Sequence, residues 1–383
     1  MRDISIRVGP PVEGTDFYGR EKELQYAWEY HVSKGVSLLL SAPRRVGKTS
    51  FSKELIKRAE GKGWKTLYLD LEGITTASEF VKLFKKEFNP AGWFGKTVDI
   101  AANLLKDINE FNVAGNKISI NFKAWRSETY GNIRLLIENS ENVLIVIDEL
   151  SIYLNHLLKQ EESRDNVEFF LEWLRNFRQT TKVCWIFCSS VSIENFASMH
   201  QLNKHLNDLH LFSIGAFSED EAKDFILRLN VDEKVQFTDA YIQYILKKLD
   251  WYLPFFIQIL VNKINFLVCI MGKQFTEASI DEAYNLLITE NHFSTWDERL
   301  KVYDEFEDNA RKILKLCVFP NGRSRNDLLI IFSTKKSEKE KAELMLSKLL
   351  EMLQKDGYLA EHNGKYKFRS PLLRDFWYDR YIK

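Results

Sequence analysis

Hydrophobic and polar positions divide the chain into stretches with different periods. From Gly35 to about Phe217, short apolar runs rich in β-branched and aliphatic residues alternate with helical patterns. Apolar runs without polar alternation are typical of strands buried on both faces, as in a parallel sheet covered by helices. Five such runs are VSLLLSA, KTLYLDLEG, NVLIVIDEL, KVCWIFCSS and LHLFSIGAF. The pattern therefore predicts an α/β domain over residues 1–217, with a parallel sheet and helices on both faces.

Two further domains are predicted after residue 217. Ser218 is an N-cap residue type followed by three acids, and a period near 3.6 continues to about Glu298, which predicts a helical lid over 218–302. Residues 303–383 predict three helices closed by a hairpin with Asn363-Gly364 at its turn, the sequence form of a winged helix. The segment 89–125 is longer than a simple crossover, and we expect an insertion there.

Composition and charge exclude several classes of protein. With 45% hydrophobic and 28% charged residues the chain is of ordinary globular type, and 54 basic residues balance 54 acidic ones. A net charge of zero provides no global field that would attract nucleic acid or an anionic membrane. The four cysteines lie in apolar stretches without a C-x-x-C pair, and we expect neither a secretory leader nor a membrane span. The sequence therefore predicts a cytoplasmic protein.

The stretch SAPRRVGKTS, residues 41–50, nearly matches the phosphate-loop pattern G-x-x-x-x-G-K-[ST], with Ala42 in place of the first glycine. It follows a predicted strand and opens a predicted helix, which is the context that the motif requires. Loop N–H groups and the positive helix end would hold the phosphates, the Lys48 ammonium would add charge, and the Thr49 hydroxyl would ligate Mg²⁺. Alanine fits at the loop entrance if its φ is negative. The predicted ATP/ADP contacts are Pro43, Arg44, Arg45, Val46, Gly47, Lys48, Thr49 and Ser50.

Two open questions concern arginines. Arg44 and Arg45 lie inside the loop, where either a phosphate contact or a structural pairing would suit them. Arg175 and Arg178 follow one another at helical spacing in WLRNFRQT. They could reach the phosphate of a neighbouring subunit, but a solvated helix face is the favoured interpretation.

A second element supports the nucleotide site. The run VLIVIDEL places Asp148 and Glu149 at the carboxyl end of a buried strand, the edge where nucleotides bind in open α/β sheets. Asp148 would hold Mg²⁺ through water, and Glu149 would polarise the attacking water. The run KVCWIFCSS ends in Ser189 and Ser190. In many NTPases of this layout a polar residue here touches the γ-phosphate or the water, and the alternative role is a helix cap.

Upstream, FYGREKEL at residues 17–24 resembles the hhGRExE motif that opens STAND ATPases, origin-recognition-type AAA+ ATPases and archaeal-type ATPases. Together with APRRVGKTS, VLIVIDEL, IFCSSVS and the terminal YKFRSPLLRDFWYDRY, the order of motifs is similar to the archaeal-type group over nearly the whole chain. The resemblance implies base-side contacts from Phe17, Tyr18, Gly19 and Arg20. It also implies a lid contact from Pro254, although Tyr252 stands where such families carry glycine.

Three functions are consistent with these motifs. The first is a regulatory ATPase switch whose winged helix stabilises one state or docks a partner, with a homo-oligomer or another protein as the partner. The second is a DNA-associated ATPase that binds duplex DNA through its winged helix. From Tyr303 onward, seventeen basic residues stand against thirteen acidic ones, and this mild excess does not favour DNA. The third is a scaffold that binds nucleotide without hydrolysing it.

Overall fold

The structure, a computed structural model, describes residues 3–88, 130–131, 133–135, 137–138, 140–160, 163–189, 192–332 and 339–383. The insertion expected at 89–125 lies outside the described residues, and so does Ser190.

Five strands form one parallel sheet in the order β2-β3-β4-β1-β5. Each of the five apolar runs supplies one strand, which confirms the sequence prediction of a parallel sheet. Every residue of the third and fourth strands is buried, as expected for strands covered on both faces. The strands are Leu38–Ser41 (β1), Lys65–Asp70 (β2), Val143–Asp148 (β3), Cys184–Cys188 (β4) and His210–Ser213 (β5).

Six helices accompany this sheet in the described part of the chain. Their apolar faces pack with the strands into one core that is rich in aromatic side chains, among them the buried Tyr153, Phe170 and Trp185. The helices are Glu21–Tyr30 (α1), Lys48–Glu60 (α2), Ala77–Glu87 (α3), Leu150–Leu158 (α4), Ser163–Thr180 (α5) and Ile193–Met199 (α6).

Residues after β5 are mostly helical. The first of these helices has the predicted N-cap, Ser218, whose hydroxyl accepts from Glu221 N–H at 3.2 Å. The Glu221 carboxylate accepts from Ser218 N–H at 2.7 Å in return, which completes a capping box. The helices are Glu219–Arg228 (α7), Asp239–Leu249 (α8), Pro254–Cys269 (α9), Glu277–Thr289 (α10), Ser294–Arg299 (α11), Glu307–Cys317 (α12), Arg325–Leu329 (α13), Lys339–Lys355 (α14) and Pro371–Tyr381 (α15).

A small antiparallel sheet lies among the last of these helices, with strand order β6-β8-β7. Between β7 and β8, Asn363 and Gly364 have φ values of 52° and 73°. Two consecutive residues with positive φ fit a type I′ hairpin turn, as the Asn-Gly pair predicts. The strands are Arg323–Ser324 (β6), Leu359–His362 (β7) and Lys365–Phe368 (β8).

The chain divides into two compact units. The sheet unit comprises Arg20–Ser41 and Phe51–Ser213, and it contains the five-stranded sheet. The loop unit comprises Met1–Gly19, Ala42–Ser50 and Ile214–Lys383, so the predicted phosphate loop belongs with the C-terminal helices. Within the described ranges, none of the helices has the length and apolar content that crossing a membrane requires.

Candidate nucleotide site

The loop that follows β1 has the backbone of an anion cradle. Arg45 and Gly47 have positive φ values of 66° and 98°, so the chain enters the left-handed region twice within three residues. Alternation of this kind directs successive N–H groups into a concavity that suits phosphate. Ala42 is not among the positive-φ residues, which agrees with the expectation that alanine fits there. A Cβ added to Gly47 would meet no atom within 4 Å, so the loop is open at that position.

Lys48, the first residue of α2, points its ammonium group into the loop. Its Nζ donates to the carbonyl oxygens of Ala42 at 2.7 Å and Pro43 at 3.0 Å, and the residue is 7% exposed. Val46 is buried, and the Ser50 hydroxyl accepts from Val12 N–H at 3.0 Å. Thr49 lies in the first turn of α2, next to Lys48. The loop therefore combines a positive helix end, a fixed cation and a hydroxyl in adjacent positions.

The two loop arginines contact residues of the helical region. Arg44 Nη1 donates to the carbonyl oxygen of Thr295 at 2.9 Å. The Arg45 guanidinium lies 4.3 Å from the ring centroid of Phe255, and its Nη1 donates to the carbonyl oxygen of Gly9 at 3.4 Å. These contacts favour the structural role for both arginines, one of the two roles that the sequence left open.

In the sheet unit, Asp148 and Glu149 lie at the carboxyl end of β3. Asp148 is 4% exposed, and its two oxygens accept from different donors: Oδ2 from the Tyr68 hydroxyl at 2.9 Å and Oδ1 from Glu149 N–H at 2.9 Å. Glu149 has a φ of 56° and precedes the first residue of α4. The strand end therefore holds one carboxylate in a fixed orientation, with a second carboxylate beside it.

Ser189 follows β4, the strand between β3 and β1. Its hydroxyl donates to Glu149 Oε2 at 3.1 Å. Because its proton is used in this way, the hydrogen bond between Ser151 and Ser189 has Ser151 as its donor. The structure thus joins the predicted Ser189 directly to Glu149, and the Ser151 hydroxyl extends this pair into a chain. Sequence reasoning missed Ser151, the second residue of α4, whose nearness in sequence to Asp148 and Glu149 is the signal that could have found it.

Asp70 is another residue that sequence reasoning missed. It ends β2, and its Cα is paired in register with that of Asp148. Packing around the Asp70 carboxyl raises its pKa above the usual value, and the nearby Asp148 and Glu149 carboxylates act in the same direction. The signal was present in KTLYLDLEG, because Asp70 stands at the carboxyl end of a buried strand as Asp148 does.

The predicted base-side residues are consecutive in sequence, and the boundary between a loop-unit segment and a sheet-unit segment falls between Gly19 and Arg20. Tyr18 packs its ring against Phe217 and Phe225 and donates its hydroxyl to Asp224 at 2.6 Å. Burial and the Asp224 carboxylate raise the pKa of Tyr18, so its hydroxyl stays protonated. Gly19 has a φ of 67°. The Tyr18 hydroxyl is therefore hydrogen-bonded to a residue of α7.

Other predicted contacts have local structural surroundings. Phe17 is half-buried and follows a short 3-10 helix. Arg20 is buried, has a φ of 72° at the start of α1 and pairs with Glu23 at 3.2 Å. Pro254 is the first residue of α9, directly before the Phe255 ring that Arg45 covers. Contact of these residues with a base or ribose stays a prediction.

One expectation about arginines is wrong. Arg178 does not lie on a solvated helix face, since its side chain is 2% exposed and it binds both Asp208 oxygens, with an Nη2 to Oδ1 distance of 2.8 Å. Arg175 donates to the carbonyl oxygen of Lys204 at 2.6 Å. Helical spacing alone could not reveal that residues 204–208 return to cover this face.

The comparisons with known proteins concern the fold. A Walker-type ATPase of Pyrococcus abyssi superposes on this chain with a TM-score of 0.62 at 16% identity. The match covers 97% of this chain and 99% of that protein. The ORC2 protein of Aeropyrum pernix, solved as ADPNP-ADP complexes, superposes with a TM-score of 0.53 at 10% identity, over 97% of this chain and 94% of its own. The chain has the P-loop NTPase fold. No protein-family model matches it, and no curated protein does.

Strands β1 and β3 are parallel members of one sheet, so their carboxyl ends share one edge, and residue 42 follows β1 directly. That Lys48, Thr49 and Asp148 converge on one triphosphate and its metal stays a prediction, as do the individual residue roles.

Proposed function

We propose that the chain is a Mg²⁺-dependent ATPase that acts as a regulatory switch. The observation that carries the proposal is the loop between β1 and α2, where Arg45 and Gly47 shape a cradle and Lys48 opens the helix. The fold of the Walker-type ATPase and of ORC2 supports nucleotide binding at this position. ATP and ADP are the expected ligands.

The residues present suit the ligand chemistry of Mg²⁺ and phosphate. The loop N–H groups and the Lys48 ammonium would bind the phosphate oxygens, while the Thr49 hydroxyl and the Asp148 carboxylate would hold the metal, which prefers such oxygen ligands. When bound, Mg²⁺ would neutralise charge that develops on the phosphate oxygens. Glu149 would orient the attacking water, and the Ser151 to Ser189 hydroxyl chain would hold Glu149 in place.

In this proposal, nucleotide binding at the loop changes the position of the helical region. Arg44 and Arg45 attach the phosphate loop to Thr295 and Phe255, which belong to the predicted lid. A phosphate that draws the loop toward itself would therefore strain these contacts and change the position of the lid. Residues 303–383, with their helices and three-stranded sheet, would act as a winged helix that stabilises one state or docks a partner.

Two variants test the enzymatic part of this proposal. Lys48→Ala should abolish ATP binding measured by calorimetry, because it removes the cation inside the loop. Glu149→Gln should keep ATP binding but stop steady-state hydrolysis, because an amide is not a base. The control is Lys57→Ala on the same helix, which removes a lysine paired with Glu54 outside the phosphate loop and should behave as wild type. Wild-type hydrolysis by the Lys48 variant would show that the site assignment is wrong.

The switch is separated from its alternatives by two further measurements on the full chain. Gel filtration with and without ATP should show nucleotide-dependent assembly or a change of shape for a switch. Stimulation of hydrolysis by duplex DNA would instead support a DNA-associated ATPase that uses its winged helix. Tight ATP binding without turnover would support a scaffold.

A further inference from the structure

Strand β2 brings two polar side chains to the end of β3. Tyr68 and Asp70 lie two residues apart on β2 and therefore project from the same face of the sheet. Asp70 is paired with Asp148 in a parallel register, so the Asp148 side chain projects from that face as well. The Tyr68 hydroxyl reaches along the strand and donates to Asp148 Oδ2 at 2.9 Å.

The Asp148 carboxylate is held in a crowded negative environment. Its Oδ1 accepts from Glu149 N–H at 2.9 Å, which uses one oxygen, and the tyrosine hydroxyl binds the other. Asp70 and Glu149 place two further carboxyl groups close by. Without the hydroxyl, Asp148 Oδ2 would lose a hydrogen bond while the repulsion from these carboxyl groups remained, so the carboxylate would be oriented less strictly.

The donor itself is well fixed. The Lys53 ammonium lies 5.5 Å from the centroid of the Tyr68 ring, which helps to hold the ring at this position. A hydroxyl whose ring is held on a paired strand is suited to orienting a carboxylate.

We propose that Tyr68 is a positioning residue that orients the Asp148 carboxylate for a divalent cation bound with the nucleotide. The inference rests on the proposed function, because it assumes that Asp148 serves the metal. It adds a residue from β2, outside both sequence motifs of the site, to the set that determines metal affinity.

The test uses the full chain with Tyr68→Phe, which keeps the ring and removes only the hydroxyl. In the presence of ADP, Mn²⁺ binding measured by electron paramagnetic resonance should weaken about tenfold, the size expected for one hydrogen bond to a charged group. The Mg²⁺ concentration for half-maximal hydrolysis should rise by the same factor. ADP binding in EDTA should not change, since the phosphate loop is untouched.

Tyr284→Phe is the matched control, because it removes another tyrosine-to-aspartate hydrogen bond, with Asp375 at 2.8 Å, in the other unit. It should lower thermal stability as Tyr68→Phe does, without affecting metal binding. In an Asp148→Asn background, Tyr68→Phe should have no further effect on metal binding. Unchanged Mn²⁺ affinity in Tyr68→Phe, or an equal loss in Tyr284→Phe, would overturn the inference.

A failure of this inference can be distinguished experimentally from a failure of the proposed function. If Asp148→Asn weakens Mn²⁺ binding and Tyr68→Phe does not, the nucleotide site stands and the positioning role is wrong. If neither wild type nor Lys48→Ala binds ADP, the proposed function fails, and Mn²⁺ titration without nucleotide then decides whether Tyr68 acts on Asp148 at all.

Discussion

At the scale of single residues, backbone conformation explains why alanine replaces one glycine of the loop motif and not the other. Gly47 has a φ of 98°, whereas Ala42 is not in the positive-φ region. We expect Gly47→Ala to weaken ATP binding about 5- to 30-fold, because left-handed φ costs an alanine roughly 1–2 kcal/mol. Ala42→Gly should leave affinity nearly unchanged. Calorimetry on both variants checks this, and equal losses would contradict the backbone explanation.

Asp70 gives a prediction about pH. Its pKa is raised in the folded chain, so the folded state holds this proton more tightly than the unfolded state. Stability is then lost as pH rises through the raised pKa. Asp70→Asn should therefore raise the melting temperature at pH 7 without metal, and the gain should vanish at pH values below the ordinary range of aspartate.

The control for this prediction is Asp327, whose pKa is lowered in the folded chain, whereas that of Asp70 is raised. Hydrogen bonds from Ser324 lower the pKa of Asp327, so Asp327→Asn should reduce stability at pH 7. A gain in both variants would show that charge removal alone, and not the local environment of Asp70, determines the result.

At the scale of elements, the capping box at the start of α7 stabilises the first helix after β5. Ser218→Ala removes the acceptor for Glu221 N–H and should destabilise the chain by about 1 kcal/mol. Thermal unfolding should show a decrease of a few degrees at most. Ser33→Ala, which removes a serine hydroxyl bonded to the carbonyl oxygen of Glu29, is the control outside a capping box. A larger loss in Ser33→Ala would argue against the cap.

Strands and helix starts were predictable from the sequence because their signals are local. Unbroken apolar runs identified β3 and β4, the N-cap Ser218 with the acidic residues after it identified the start of α7, and Asn363-Gly364 identified a hairpin. The register between β2 and β3 was not predictable, because it depends on pairing across more than seventy residues. Tyr68 was missed for that reason, since nothing adjacent to it in sequence indicates Asp148.

At the scale of the whole molecule, the division into units does not follow the order of the chain. The phosphate loop, Ala42–Ser50, belongs to the same compact unit as the residues beyond Ile214. The contacts of Arg44 with Thr295 and of Arg45 with Phe255 lie within this unit.

Gly357 extends this packing to the C-terminal region. It follows α14 with a φ of 86°, and an added Cβ would lie 2.9 Å from Trp251 Cη2 and 3.0 Å from the Pro43 side chain. We expect Gly357→Ala to displace Pro43 and thereby lower ATP affinity measured by calorimetry, although the variant lies more than three hundred residues from the loop in sequence. Gly364→Ala is the matched control, because its φ of 73° imposes similar strain while its Cβ would meet no atom within 4 Å. If both variants change affinity equally, general destabilisation explains the effect. If only Gly357→Ala does, the C-terminal region is coupled to the phosphate loop through this contact, as a switch requires.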